Sequence, residues 1–104
     1  MKNKKVVFVD DNPTDLLLYG AMTKRMDYDV LMISDSRVAI ENIIKFEPDV
    51  VFLDFRLNNN ITGLDLLNQL QALNVKCKIV MLTSSDESRV IQQSLDDGAD
   101  DYIV

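Results

Sequence analysis

The chain has 104 residues, enough for one domain and too few for two. Its formal net charge is −6, and without a basic patch we do not expect it to bind a nucleic-acid backbone. No apolar run reaches the roughly 18 residues of a membrane-spanning helix, so no membrane contact is expected. Cys77 is the only cysteine of the sequence, which excludes an internal disulfide, and the lack of histidine excludes a Ser-His-Asp triad. Together they argue against a structural zinc site. A lone cysteine fits the reducing cytoplasm, where we expect the protein to act.

Apolar runs separated by turn residues predict five strands. The strands are predicted at Lys5–Val9, Tyr28–Ile33, Val50–Asp54, Lys78–Leu82 and Tyr102–Val104. The third run follows Pro48 and is apolar on both faces. It therefore predicts a strand buried on both sides, as in the middle of a parallel sheet.

Four helices are predicted between the strands. They run from Pro13 to Met26, from a cap at 34–36 to the stop at Pro48, from Gly63 to Leu73 and from Asp86 to Leu95. Asn12 and Thr62 are predicted N-caps, and Asn74 and Gly98 are predicted left-handed stops. The inward faces are predicted to carry Leu18, Met22 and Met26; Ala39, Ile40, Ile43, Ile44 and Phe46; Leu66, Leu67, Leu70 and Leu73; and Val90, Ile91 and Leu95.

The strict alternation of strands and helices predicts the fold class. Short connections between alternating elements imply right-handed crossovers and a parallel sheet with helices on both faces. We therefore expect one α/β doubly wound domain. In such sheets the first and third strands are commonly neighbours, and ligands bind outside the carboxyl ends of the strands.

Polar residues stand where three of the strands end. Asp10 and Asp11 follow the first strand, Asp54 ends the third, and Thr83 follows the fourth. Three carboxylates in one crevice repel one another and require a cation, and oxygen ligands without His or Cys point to Mg²⁺ or Mn²⁺. A cation also prepares a carboxylate for phosphoryl transfer, in which Asp can form an aspartyl phosphate. Thr83 would offer its hydroxyl to a phosphoryl oxygen.

Each of these residues also has an ordinary structural interpretation. Asp10 and Asp11 could be acids at a helix start, and Asp54 a turn residue. Thr83 could be a helix cap and Tyr102 a half-buried strand aromatic. The functional interpretation depends on these residues taken together, because the acids and Thr83 all fall at the carboxyl ends of predicted strands.

Five short blocks of the sequence resemble the receiver domain of two-component response regulators, the CheY-like family. The blocks are Val9-Asp10-Asp11-Asn12, Pro48-Asp49-Val50-Val51-Phe52-Leu53-Asp54, Thr62-Gly63-Leu64-Asp65-Leu66-Leu67, Met81-Leu82-Thr83-Ser84 and Gly98-Ala99-Asp100-Asp101-Tyr102-Ile103-Val104. The resemblance extends over essentially all of residues 1–104. It implies a single receiver domain with parallel strands in the flavodoxin-like order 2-1-3-4-5.

The resemblance also implies a metal site and a nucleophile. Asp54 would be the phosphoacceptor. Mg²⁺ would be bound by Asp11, Asp54 and the main-chain carbonyl of Arg56, with Asp10 helping through water.

Thr83 and Tyr102 would form the switch pair implied by the resemblance. The hydroxyl would move toward the phosphoryl group while the aromatic ring turns inward. The phosphoryl donor would be a sensor histidine kinase or a phosphotransfer protein. The domain would be a signalling switch rather than a turnover enzyme.

Three departures from the family pattern are visible. The loop over residues 57–60 lacks the usual proline and is about one residue longer. The family's lysine follows the fifth strand directly, whereas the sequence stops at Val104, one position earlier, and the family's fifth helix is missing too. Lys76 and Lys78 lie at the wrong strand end to replace that lysine. Because a missing helix leaves one face open, we expect self-association, as a two-fold dimer through the uncovered face or by exchange of an element.

Three other functions are left open. A small Mg²⁺-dependent phosphatase or phosphotransferase would place a second Asp two residues after its first-strand nucleophile, a spacing that Asp10-Asp11-Asn12 lacks. A flavodoxin-like FMN binder would need a glycine- and hydroxyl-rich loop where these acids repel phosphate. A degenerate receiver would act as a protein-interaction module without phosphorylation.

Overall fold

In the described part of the chain, five strands form one parallel sheet with the strands, numbered along the chain, in the order 2-1-3-4-5, which confirms the expected topology. The computed structural model describes residues 4–57, 60–83 and 88–103. The strands are β1 (Lys4–Val9), β2 (Tyr28–Ile33), β3 (Val50–Asp54), β4 (Lys78–Leu82) and β5 (Asp101–Ile103). The helices of the described residues are α1 (Pro13–Thr23), α2 (Ala39–Phe46), α3 (Gly63–Ala72) and α4 (Ser88–Asp96), with a 3₁₀ turn at Ser36–Val38 before α2.

The predicted N-caps Asn12 and Thr62 are present, whereas within the cap predicted at 34–36 Asp35 caps the 3₁₀ turn rather than α2. The Asn12 side chain accepts hydrogen bonds from the backbone N–H groups of Thr14 and Asp15, so it satisfies donors that the first turn of α1 leaves unpaired. Thr62 and Asp65 form a reciprocal capping box at the start of α3. Asn74 follows α3 with a φ of 55°. Gly98 follows α4 with a φ of 108°.

The predicted inward face of α1 is wrong. Leu18, Met22 and Met26 are 56%, 64% and 51% exposed, and α1 ends at Thr23 rather than Met26. The half-buried positions lie on another side of the helix: Asp15, Leu16, Tyr19, Gly20 and Thr23. Gly20 lies against β2, where a Cβ would be 3.3 Å from the flexible end of the Met32 side chain. The helix therefore approaches β2 on its small residue rather than on its most apolar ones.

Other predicted boundaries and inward positions need smaller corrections. β5 covers Asp101–Ile103, and Val104 lies outside the described residues. The predicted start of the fourth helix at Asp86 also lies outside them. Three predicted core positions, Ile44, Leu73 and Leu95, are 47%, 55% and 38% exposed.

The main core lies on one face of the sheet. The β-strand side chains of this face are completely or almost completely buried with those of α2 and α3: Val7, Val9, Ile33, Ala39, Ile43, Val51, Leu53, Leu66, Leu67, Leu70, Ile79 and Met81. Buried and half-buried residues alternate along β3. The prediction that β3 is buried on both sides is therefore wrong, because Val50 and Phe52 point to the other face and are only half-buried.

That other face carries an apolar groove of about 380 Å³ between the sheet and α1. We call it the α1 groove. It is lined by Lys4, Val6, Phe8, Tyr19, Met22, Thr23, Met26, Tyr28, Val50, Phe52, Leu82 and Ile103. The expectation of exposed apolar surface on one face is thus met among the described residues. None of the helices described is long and apolar enough to span a bilayer.

Candidate metal centre

Three carboxylates meet at the carboxyl edge of the sheet. Val9 of β1 pairs with Leu53 of β3, so the residues that follow this pair face one crevice. One oxygen each of Asp10, Asp11 and Asp54 lies within 4.8 Å of the others. Asp10 is 1% exposed, and the other two side chains are half-buried. The structure thus brings together the three acids that the sequence placed at this edge.

Asp10 is held by hydrogen bonds on both carboxylate oxygens. The Asn12 backbone N–H donates to Oδ1 over 2.9 Å, and the Tyr19 hydroxyl donates to Oδ2 over 3.2 Å. The Asp10 backbone N–H donates to the Ile33 carbonyl over 3.0 Å, which fixes the main chain at the end of β1. Sequence reasoning missed Tyr19, because it placed the inward face of α1 on the more apolar residues.

The electrostatics of this cluster favour a bound cation. Burial, and next the charge of Asp10, raise the pKa of Asp54 to about 7, against the opposing effect of a hydrogen bond from the Arg56 backbone. Burial also raises the pKa of Asp10, and the Asn12 backbone hydrogen bond opposes this rise. Burial and the Asp10 charge raise the pKa of Tyr19, which keeps its hydroxyl a donor. Hard cations prefer such oxygen donors, and a cation would relieve the repulsion between the acids.

The loop after Asp54 returns to the sheet at once. The Phe55 backbone N–H donates to the Leu82 carbonyl over 3.0 Å, and the Gly63 N–H donates to the Phe55 carbonyl over 2.8 Å. Arg56 forms an isolated antiparallel bridge with Thr62. This places the Arg56 backbone beside the acids, where the resemblance puts a carbonyl ligand. Asn58 and Asn59, in the loop that departs from the family pattern, lie outside the described residues.

Thr83 stands at the same edge, one strand over. Asp54 pairs with Leu82 of β4, so Thr83 follows the residue opposite the acid. Its side chain is 9% exposed, and its hydroxyl is buried, with no hydrogen-bond partner among the residues that the structure describes. An unpaired buried hydroxyl costs stability. A ligand oxygen at this edge would therefore accept a hydrogen bond from Thr83 without breaking an existing one.

Tyr102 is placed differently from the acids. It pairs with Met81 on β5, and its side chain is 38% exposed. Its backbone N–H donates to the neighbouring Asp101 carboxylate over 2.8 Å. The structure therefore puts Tyr102 on the strand beside Thr83 with its ring turned partly to solvent.

Comparison with known proteins identifies the family. Residues 6–104 match the response regulator receiver domain. The alkaline phosphatase synthesis transcriptional regulatory protein PhoP of Bacillus subtilis is 34% identical over 101 residues, which cover 97% of this chain and 42% of that protein. The chain therefore spans less than half of that relative's length.

Solved structures agree with this match. The BeF₃-activated N-terminal receiver domain of Klebsiella pneumoniae RstA is 36% identical, with a TM-score of 0.88 over 96% of this chain and 84% of that one. Vibrio cholerae chemotaxis protein CheY4 is 23% identical, with a TM-score of 0.89 over 99% of this chain and 87% of that one, and it supports the fold. The chain belongs to the response regulator receiver domain family of two-component systems.

Proposed function

We propose that this receiver domain accepts a phosphoryl group on Asp54 in the presence of Mg²⁺. The observation that carries the proposal is the combination at one sheet edge of three carboxylates within 4.8 Å of one another and the buried hydroxyl of Thr83, which has no partner within residues 4–57, 60–83 and 88–103. Asp11, Asp54 and the Arg56 main-chain carbonyl are the proposed metal ligands, with Asp10 acting through water. This set contains only oxygen donors, which suits Mg²⁺.

Asp54 is the proposed nucleophile. One of its oxygens forms a bond to phosphorus while the phosphorus–nitrogen bond of a phosphohistidine donor breaks, and the freed imidazole nitrogen takes up a proton. Asp54 must be ionised to react. With a pKa of about 7, part of the Asp54 population is protonated near neutral pH, and a nearby cation would favour the ionised, reactive form. When bound, Mg²⁺ would offset negative charge on the incoming phosphoryl oxygens.

Thr83 and Tyr102 are the proposed switch pair. The Thr83 hydroxyl has no partner in the part of the chain that the structure describes, so a phosphoryl oxygen on Asp54 would gain a hydrogen bond by drawing it closer. The space that this movement leaves would admit the Tyr102 ring, which is 38% exposed here. Phosphorylation then acts by shifting the population between two arrangements of the pair.

The proposed role is signalling rather than turnover. The donor would be a sensor histidine kinase or a phosphotransfer protein in the cytoplasm, as expected for a receiver domain. The domain would use its own side chain as the substrate.

We also propose that two copies pair through the α1 groove.

Labelling with a small phosphodonor tests the central step. The protein is incubated with Mg²⁺ and acetyl phosphate, and its intact mass is measured before and after treatment with base. We expect one base-labile phosphoryl group in the wild type and in Asp96→Asn, an exposed control, and none in Asp54→Asn. Label that persists in Asp54→Asn would overturn the assignment. A wild type that takes up no label would favour a degenerate receiver acting by binding alone.

A further inference from the structure

We propose that Tyr19 is a positioning residue for the metal site, acting through Asp10. Its hydroxyl donates to Asp10 Oδ2 over 3.2 Å and so fixes the carboxylate that assists Mg²⁺ binding. This inference rests on the proposed metal site and extends it to a side chain on α1.

The two oxygens of Asp10 accept hydrogen bonds from two different positions along α1. Oδ1 accepts from the Asn12 backbone at the start of α1, and Oδ2 accepts from the Tyr19 side chain two turns further along the helix. Two donors on separate oxygens define the plane of the carboxylate, whereas one donor leaves it free to rotate. Because Asp10 is 1% exposed, bulk water cannot readily replace a lost donor.

The phenol itself is held by the sheet. The rings of Tyr19 and Phe8 are stacked with centroids 4.8 Å apart, and the Phe8 ring is stacked on that of Phe52, also at 4.8 Å. These partners come from β1 and β3, the strands that also deliver the acids. The Thr23 hydroxyl bonds the Tyr19 carbonyl over 2.9 Å. A donor held on this stack loses little freedom when it orders Asp10.

A neutral donor suits this position better than a charged one. A lysine or arginine at this place would also bind Asp10, but it would put a positive charge where the acids are to attract Mg²⁺. The Tyr19 hydroxyl orients Asp10 and leaves its negative charge available to the cation. Groups that orient metal-site carboxylates in this way commonly change metal affinity by about ten- to a hundredfold when they are removed.

Calorimetric titration with Mg²⁺ tests the inference. Tyr19→Phe keeps the stacked ring and removes only the hydroxyl, and we expect it to weaken Mg²⁺ binding about tenfold. Tyr28→Phe is the matched control, because Tyr28 lines the same α1 groove from β2 and should bind Mg²⁺ like the wild type. Circular dichroism establishes that both variants are folded.

A double-mutant cycle separates positioning from a general structural effect. If Tyr19 acts through Asp10, the affinity lost on Tyr19→Phe should disappear in an Asp10→Asn background. An equal loss in both backgrounds would overturn the inference.

A spectroscopic readout covers the case in which Tyr19→Phe fails to fold. The chain has three tyrosines and no tryptophan, so Tyr28→Phe with Tyr102→Phe leaves Tyr19 as the only such chromophore. We expect Mg²⁺ to change the near-ultraviolet absorption of this phenol, because the phenol donates to Asp10 over 3.2 Å and a cation beside Asp10 alters the electric field at the ring. An unchanged spectrum at saturating Mg²⁺ would overturn the inference.

Different results would overturn the metal site and the positioning role of Tyr19. Two results would overturn the metal site and the role of Tyr19 together. One is a wild type that does not bind Mg²⁺, and the other is Mg²⁺ binding that is unchanged in Asp54→Asn. Wild-type binding that depends on Asp54 but is equal in Tyr19→Phe would overturn the role of Tyr19 alone.

Discussion

Gly63 lies directly against the backbone carbonyl of Asp54, so a methyl group at position 63 would collide with that oxygen. The contact joins the first residue of α3 to the last residue of β3. It sets how closely the loop that carries Arg56 closes over the acids. The architecture of the site thus depends on a residue that has no side chain.

Substitution of this glycine should be costly. Gly63→Ala forces either α3 or the end of β3 to move, and we expect a loss of about 1–3 kcal/mol in the free energy of unfolding, with weaker Mg²⁺ binding. Gly20→Ala is the matched control: its Cβ would lie 3.3 Å from the flexible end of Met32, and alanine favours the helix by about 1 kcal/mol. Urea denaturation measures both. Equal stability of the two variants would contradict the contact.

The raised pKa of Asp54 predicts how stability depends on pH without Mg²⁺. The unfolded chain releases this proton near the ordinary value of 3.8, and the folded protein retains it to about 7. The folded state therefore binds more protons across this window, and stability should fall as pH rises from about 4 to about 7. We expect a decrease of roughly 1–2 kcal/mol, reduced by solvent screening from the full value of the shift.

Denaturation at several pH values, compared with Asp54→Asn, isolates this contribution. The variant lacks the titrating carboxyl and should lose less stability over the same window. A wild type and a variant with parallel pH profiles would mean that Asp54 titrates at its ordinary value.

Mg²⁺ should stabilise the folded protein by mass action. A ligand at about a hundred times its dissociation constant adds about 2.7 kcal/mol to the free energy of unfolding. We expect the melting temperature, followed by circular dichroism, to rise with millimolar Mg²⁺. Asp11→Asn should reduce this rise strongly, whereas Asp29→Asn, an exposed residue of β2, should not. An undiminished rise in Asp11→Asn would show that the site is misplaced.

Thr83 offers a test of the switch that is separate from the metal. Thr83→Ala removes a buried hydroxyl that has no partner among the described residues, so stability and Mg²⁺ affinity should change little. Phosphorylation should then affect the Tyr102 signal in an NMR spectrum less than it does in the wild type, and Thr83→Ser should restore the effect. Identical Tyr102 responses in wild type and Thr83→Ala would exclude the hydroxyl from the coupling.

Pairing of two copies through the α1 groove is tested by sedimentation at tens of micromolar. Exposed apolar surface of this kind commonly marks an interface. Met22 lines the groove and is 64% exposed, so Met22→Lys should shift the protein toward monomer. Leu17→Lys changes a residue of the same helix that is 75% exposed and lies off the groove, and it should have no effect. A wild type that sediments as a monomer would remove this proposal.

The sequence predicts the strands and the acidic edge well because both depend on local pattern. The bounds of β2 and β4 agree with the prediction to the residue. Alternation of elements then fixes which strand ends meet, and so Asp10, Asp11 and Asp54 come together. These inferences need only periodicity and the rules of parallel sheets.

The face of α1 could not be predicted in this way, because tertiary packing decided it. Apolar content favours Leu18 and Met22, but in the structure Gly20 lies against Met32 of β2 and Tyr19 stacks on Phe8 of the sheet. The hydrogen bond from Tyr19 to Asp10 follows from this orientation of the helix. Such a contact depends on how the helix is rotated about its axis, and neither the sequence of the helix nor that of the strand predicts this rotation alone.

The α1 groove also has a consequence for how melting of this protein is observed. Environment-sensitive fluorescent dyes brighten on apolar surface and are used to signal unfolding. Here the folded monomer already presents an apolar groove of about 380 Å³, so such a dye should fluoresce before heating wherever a second copy does not cover the groove. Unfolding exposes the apolar core as well, and the signal should rise from this elevated baseline. For this chain a bright signal before heating is therefore no sign of unfolding.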